Sequence, residues 1–226
     1  MRKYDAVFFD LDGTLSESGE GILWCVRRTI EDLKIVVPEN FRLESFIGPP
    51  LADSFYRLGL DDEKVKFGVK TYKSYYDTKG KYMNKAYDGI KELLERLREK
   101  GYKLGVATSK YELFARQIID NIGLLQYFDF VSGATANAER QKKIDVLNYG
   151  IKNLGATPEN SALIGDTKFD AEGARLCGCG FVLSLLYPGL HTRPHSRRIN
   201  GKFCHDKLLP YFIDCVNCCV PQKNHY

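Results

Sequence analysis

Apolar and polar positions divide the chain into two regimes. Residues 4–9 form a short β-rich run that stops abruptly at Asp10-Leu11-Asp12-Gly13-Thr14. Residues 19–33 then carry Ile22, Leu23, Val26 and Ile30 at three- and four-residue spacing, the period of an amphipathic helix. Residues 41–60 and 63–79 follow with the same period and no convincing strand, and Gly48-Pro49-Pro50 reads as a turn between helices. From residue 88 the pattern alternates. Helices are predicted over 90–100, 113–122, 143–154 and 170–177, and strands over 102–107, 128–131, 161–164 and 180–186. Strands separated by helices imply a parallel sheet with crossover helices. The expected fold is a doubly wound, Rossmann-like α/β core built from residues 1–16 and 83–226, with an all-helical insertion over 17–82.

Composition narrows the classes. The chain has 226 residues, 44% hydrophobic and 27% charged, which excludes a disordered chain or a fibre. The net charge of +4 is spread along the sequence rather than gathered in a basic stripe, so no nucleic acid polymer is expected as a partner. No apolar run reaches the ~20 residues that span a bilayer, so no membrane partner is expected either. The first residues turn acidic too soon for a signal peptide, which points to the cytoplasm. Seven cysteines, an odd number without a secretion signal, argue against a disulfide framework.

The chemistry gathers where apolar runs end. Asp10 and Asp12 leave a strand end two residues apart. Such a pair can hold a hard cation, offer a carboxylate to phosphorus and move a proton to a leaving oxygen. Gly13 lets a phosphate approach the backbone. Thr108-Ser109-Lys110 ends a second strand with hydroxyls and N–H groups suited to phosphoryl oxygens. Lys142-Lys143 opens a helix with ammonium groups that can neutralise a carboxylate and a phosphoryl oxygen. Gly165-Asp166 ends another apolar run, and Asp170 follows where a first helical turn would turn it toward the same crevice. Each feature alone also fits a turn, a cap or a solvated pair. Together they lie at the carboxyl ends of strands in one sheet, where phosphoryl transfer finds its nucleophile, metal and cations.

The set DLDGT, TSK, the lysine before Ile144-Asp145-Val146, and GDTKFD resembles the haloacid dehalogenase superfamily over about residues 4–187. Within it, phosphoglycolate-phosphatase-like proteins and the 5′-nucleotidase-like branch look closest, and Phe46-Ile47-Gly48-Pro49-Pro50-Leu51 is similar to a signature of that branch's helical cap. The resemblance implies an aspartyl-phosphate mechanism with Asp10 as nucleophile, Asp12 as general acid and base, Thr108 and Ser109 on the phosphoryl group, and Lys143 rather than Lys142 as the family lysine. It implies a Mg2+ site from Asp10, Asp12 (through its backbone carbonyl), Asp166 and Asp170. Gly48 and Lys110 are further candidates for contact with substrate. The expected activity is hydrolysis of a small phosphomonoester, a phosphorylated metabolite, by a monomer or homodimer. A phosphosugar mutase and a non-catalytic phosphometabolite-binding protein remain as alternatives.

The end of the chain departs from that pattern. All four histidines and four of the cysteines follow Tyr187. The spacing of His205, Cys215, Cys218 and Cys219 matches no standard tetrahedral zinc pattern. The segment reads as a surface-covering tail, arising from divergence or a change of reading frame.

Overall fold

A computed structural model describes residues 3–47, 49–136 and 139–184. Gly48, the end of the strand expected over 180–186 and the His- and Cys-rich tail lie outside the described residues. In chain order the strands are β1 (Ala6–Phe9), β2 (Ser16–Glu17), β3 (Lys85–Ala86), β4 (Lys103–Tyr111), β5 (Phe130–Ala134), β6 (Ser161–Gly165) and β7 (Gly180–Leu183). The helices are α1 (Gly19–Asp32), α2 (Leu51–Arg57), α3 (Asp62–Thr78), α4 (Ile90–Glu99), α5 (Glu112–Asn121), α6 (Lys143–Asn153) and α7 (Lys168–Cys177). The chain divides into two compact units, one of residues 17–85 and one of the residues on either side. Among the described residues no helix is long and apolar enough to cross a membrane.

The flanking unit carries a parallel five-stranded sheet in the order β5-β4-β1-β6-β7. The chain begins at the centre, winds outward through β4 and β5, then returns across β1 to build β6 and β7. This is the doubly wound, Rossmann-like arrangement, whose switch point opens a crevice at the carboxyl end of β1. Buried on both faces, β1 reads as the unbroken apolar run Ala-Val-Phe-Phe.

One core cluster gathers Ala6 and Phe8 from β1, Ala107 and Leu163 from its neighbours, Val146, Leu147 and Ile151 from α6, and Ala174 from α7. Phe8 stands beside Gly105 in the sheet. A Cβ at Gly105 or at Gly150 of α6 would overlap the Phe8 ring, so these two glycines create the space the ring fills.

The 17–85 unit packs α1 and α2 on α3. Asp61 caps α3, accepting from the Lys64 N–H at 2.9 Å. The stretch expected to be helical over 41–60, with a turn at Gly48-Pro49-Pro50, is α-helical only in its second half. A 3-10 turn at Leu43–Phe46 is followed by the separate short helix α2. Pro49 and Pro50 supply no N–H donor and disfavour helical backbone before them, which stops the helix their neighbours favour. The Phe46 ring then packs edge-on against Phe55, 5.2 Å away. The two-residue strands β2 and β3, too short to leave a periodic signal, pair with each other at the ends of this unit.

An exposed glycine-to-alanine change inside a helix gains about 1 kcal/mol. At Gly150 the new Cβ would lie 2.7 Å from the fully buried Phe8 ring. Gly150→Ala is expected to destabilise the protein by about 1–3 kcal/mol instead, as read from urea unfolding. A stabilised variant would show that the ring yields.

Candidate active site

The ends of β1 and β6 bring Asp10 and Asp166 to the carboxyl edge of the sheet. Asp10 follows β1 directly, and its N–H donates to the Ile164 carbonyl of β6 at 2.8 Å. Gly13 adopts φ +83°, a left-handed conformation that favours glycine, and a Cβ there would overlap the Asp166 carboxylate. The Thr14 hydroxyl donates to Asp166 Oδ1 at 3.3 Å.

Lys143, the first residue of α6, is the centre of this group. Its Nζ lies 2.6 Å from Asp10 Oδ1 and 2.7 Å from Asp170 Oδ1, and donates to the Ala107 carbonyl at 2.9 Å. Lys143 and Asp10 are each 7% exposed and Asp170 is fully buried, so this is an interior ion network rather than a surface pair. The neighbouring Lys142 is exposed. Asp170 sits in the first turn of α7, as expected, and serves two purposes. Its Oδ2 accepts from the Thr167 hydroxyl at 2.5 Å and the Thr167 N–H at 3.0 Å, closing a capping box, while Oδ1 faces the lysine.

Carboxylate oxygens of Asp10, Asp166 and Asp170 all lie within 4.8 Å of one another. Burial, reinforced by the Asp170 charge and opposed by Lys143, pushes Asp10 up to about 6. Burial, followed by the charges of Asp10 and Asp170, pushes Asp166 up to about 7. Burial works against the Lys143 ammonium, but Asp10 and Asp170 outweigh it and hold its pKa above the usual lysine value. Three hard oxygen donors whose mutual repulsion resists full ionisation fit a small divalent cation such as Mg2+, which relieves that repulsion on binding.

The side chain of Asp12 is outside this cluster and pairs instead with Lys110, Nζ to Oδ2 2.9 Å. Its other oxygen, Oδ1, is buried without a hydrogen-bond partner. β4 runs four residues beyond the strand expected to end at Ala107, but not as a regular ladder. Ala107 pairs with Ser132 and Tyr111 with Ala134, so Thr108, Ser109 and Lys110 arch away from the sheet edge. Thr108 is buried and its Oγ1 accepts from the Lys110 N–H at 3.2 Å, whereas Ser109 is exposed. Thr14 and Thr167 were not singled out from sequence. Thr167 was findable, because Thr-x-x-Asp before a helix is a capping signal.

The fold and this edge define a Rossmann-like protein with a carboxylate–lysine centre at its switch point. Residues 7–184 match the family model described as haloacid dehalogenase-like hydrolase, and the chain belongs to that family. It is 36% identical to the 5′-nucleotidase of Pseudomonas aeruginosa, over 80% of this chain and 82% of that protein. It is also 36% identical to the tyrosine-protein kinase PtkA of Mycobacterium tuberculosis, over 78% of this chain but 60% of the kinase, so it spans well under the full length of that relative. The solved haloacid dehalogenase-like family hydrolase SP0104 of Streptococcus pneumoniae superposes with a TM-score of 0.74 at 34% identity, covering 80% of this chain and 84% of the other.

Asp10 and Asp166 bind protons more tightly folded than at their ordinary value of 3.8. Their contribution to stability is therefore fully present below about pH 4 and is lost as pH rises through about 6 and 7. With EDTA present, this pair is expected to weaken the fold between about pH 5 and pH 8, and Mg2+ to stabilise it more at the upper end, where it no longer competes with protons. Urea unfolding at both pH values, with and without the cation, measures this. Equal Mg2+ stabilisation at the two would count against the cluster as the binding site.

Proposed function

We propose that this chain is a Mg2+-dependent phosphatase that hydrolyses a small phosphomonoester through an aspartyl-phosphate on Asp10. The observation that carries the reading is the convergence of Asp10, Lys143, Asp166 and Asp170 on one spot at the sheet edge. Asp10, Asp166 and Asp170 would hold the cation through carboxylates, and Asp12 through its backbone carbonyl. When bound, the cation neutralises charge on the phosphoryl oxygens.

In this reading an oxygen of Asp10 attacks phosphorus while Asp12 gives its proton to the departing ester oxygen, breaking the P–O bond. Water then attacks the aspartyl-phosphate and gives a proton to Asp12, which releases inorganic phosphate and restores Asp10. Lys143 holds Asp10 in place and, with Thr108 and Ser109, faces the phosphoryl oxygens. Gly13 keeps the backbone open to them. Lys110 adds an ammonium beside Asp12 and therefore beside the leaving group. Phosphoglycolate-like esters and nucleoside monophosphates are the substrate classes that the family resemblance and the nucleotidase relative support.

The kinase relative supports a second reading, in which the acceptor of the phosphoryl group is a tyrosine hydroxyl rather than water. Release of inorganic phosphate, against formation of phosphotyrosine, separates the two.

A panel of phosphoglycolate, nucleoside monophosphates, sugar phosphates, pyrophosphate and p-nitrophenyl phosphate is expected to yield phosphate release that EDTA stops and Mg2+ restores. Asp10→Asn is expected to lower turnover by at least ~10³-fold, in line with loss of a nucleophile. Wild-type turnover by that variant, or activity indifferent to EDTA, would overturn the mechanism.

A further inference from the structure

Arg140 stands three residues before Lys143 and joins three segments at once. Its Nη2 pairs with Glu112 Oε2 at 2.6 Å, and its Nε donates to the Gly133 carbonyl at 2.7 Å. Its guanidinium carbon lies 3.8 Å from the centre of the Tyr149 ring on α6. Glu112 opens α5 just beyond the Thr108–Lys110 arch, and its Oε2 also accepts from the Gly133 N–H at 3.1 Å. Gly133, next to last in β5, stands so close to this arch that a Cβ would overlap the Lys110 carbonyl and Glu112 Cα. The Arg140 backbone is tied to Thr135 as well, with Thr135 N–H donating to the Arg140 carbonyl at 2.9 Å and Arg140 N–H to Thr135 Oγ1 at 3.1 Å.

We propose that the Arg140–Glu112 pair is a positioning device that sets the first turn of α6, and so the Lys143 ammonium, against the Thr108–Lys110 arch. The activity part of this inference rests on the phosphatase reading above. The pair touches none of the groups assigned to the reaction. It fixes the distance between two segments that must act on the same phosphoryl group. The Arg140 and Glu112 side chains are only 15% and 27% exposed, so water screens the pair weakly. A planar guanidinium is required, because a lysine cannot donate in fixed directions to Glu112 and Gly133 while lying flat on Tyr149.

The test uses the full chain with Arg140→Met, Arg140→Lys, Glu112→Gln and the Arg140→Met/Glu112→Gln double variant, assayed well below their melting temperatures. Misplacing a catalytic group by about 1 Å costs on the order of 10²-fold. Arg140→Met is expected to lower kcat by about 10- to 100-fold with KM within about threefold. Arg140→Lys should recover only part of that. The double variant should be no worse than the worse single, because both break one device. Losses that multiply, a kcat within threefold of wild type, or full rescue by lysine would each overturn the proposal. Hydrogen exchange supplies a readout independent of activity. Arg140→Met should speed exchange at Val146 to Tyr149 and leave Leu93 to Leu97 of α4 unchanged, and no acceleration would overturn it. Wild-type protein inert on every phosphomonoester would instead overturn the phosphatase reading, with the exchange result still deciding this one.

Discussion

The lysine ammonium between Asp10 and Asp170 is the constraint on which the rest of this molecule depends. Two buried carboxylates and a third nearby cannot all stay ionised in so small a space without a cation among them. Lys143 supplies one positive charge, enough to hold Asp10 and Asp170 but not to stop burial from raising Asp10 and Asp166. Removing one member of such a network leaves an uncompensated buried charge, which is far costlier than replacing the whole network by apolar groups. In the proposed reading the arrangement serves chemistry at the expense of stability, and the shortfall in positive charge is what would make the cluster receptive to a divalent cation.

Much of this centre was legible in the sequence because its parts sit where apolar runs end. Asp10 and Asp166 each follow the last residue of a strand, Thr108 follows the last regularly paired residue of β4 before its arch, and a parallel sheet brings such points to one edge. Lys143 was separable from Lys142 only through the family pattern that follows it. The structure gives the physical counterpart: residue 143 faces the sheet and 142 faces solvent. Asp170 shows why single motifs are ambiguous. The capping reading holds, and it still leaves Oδ1 turned to Lys143, because the two oxygens of one carboxylate do different work.

What the sequence did not disclose depends on tertiary approach. Nothing local indicates that Lys110 meets Asp12, or that Arg140 reaches Glu112 across 28 residues. The arch in β4 is a register shift against β5, and a propensity for extended backbone carries no information about register. The helical period over 41–60 was only half informative: the turn at Gly48-Pro49-Pro50 was read, but not that a 3-10 turn precedes it. Its apolar residues do face inward, yet they do so from a 3-10 turn and a short helix, because two prolines override the local preference.

The core and the site also share a cause. The height of α6 above the sheet is set where the Phe8 ring fills the space left by Gly105 and Gly150. The same helix carries Lys143, and a Cβ at Gly173 of α7 would overlap the lysine's aliphatic stem, so that glycine keeps the path to Asp10 open. A lysine stem is flexible, but one threaded between two helices and ending on three acceptors has little freedom left. Its reach is then governed by the position of the helix, which packing fixes to a few tenths of an ångström because interiors are dense and nearly incompressible. Ordinary aliphatic and aromatic contacts two turns away thus determine where the ammonium stands. Changes in that packing should be felt at the carboxylates before they are felt in the fold as a whole.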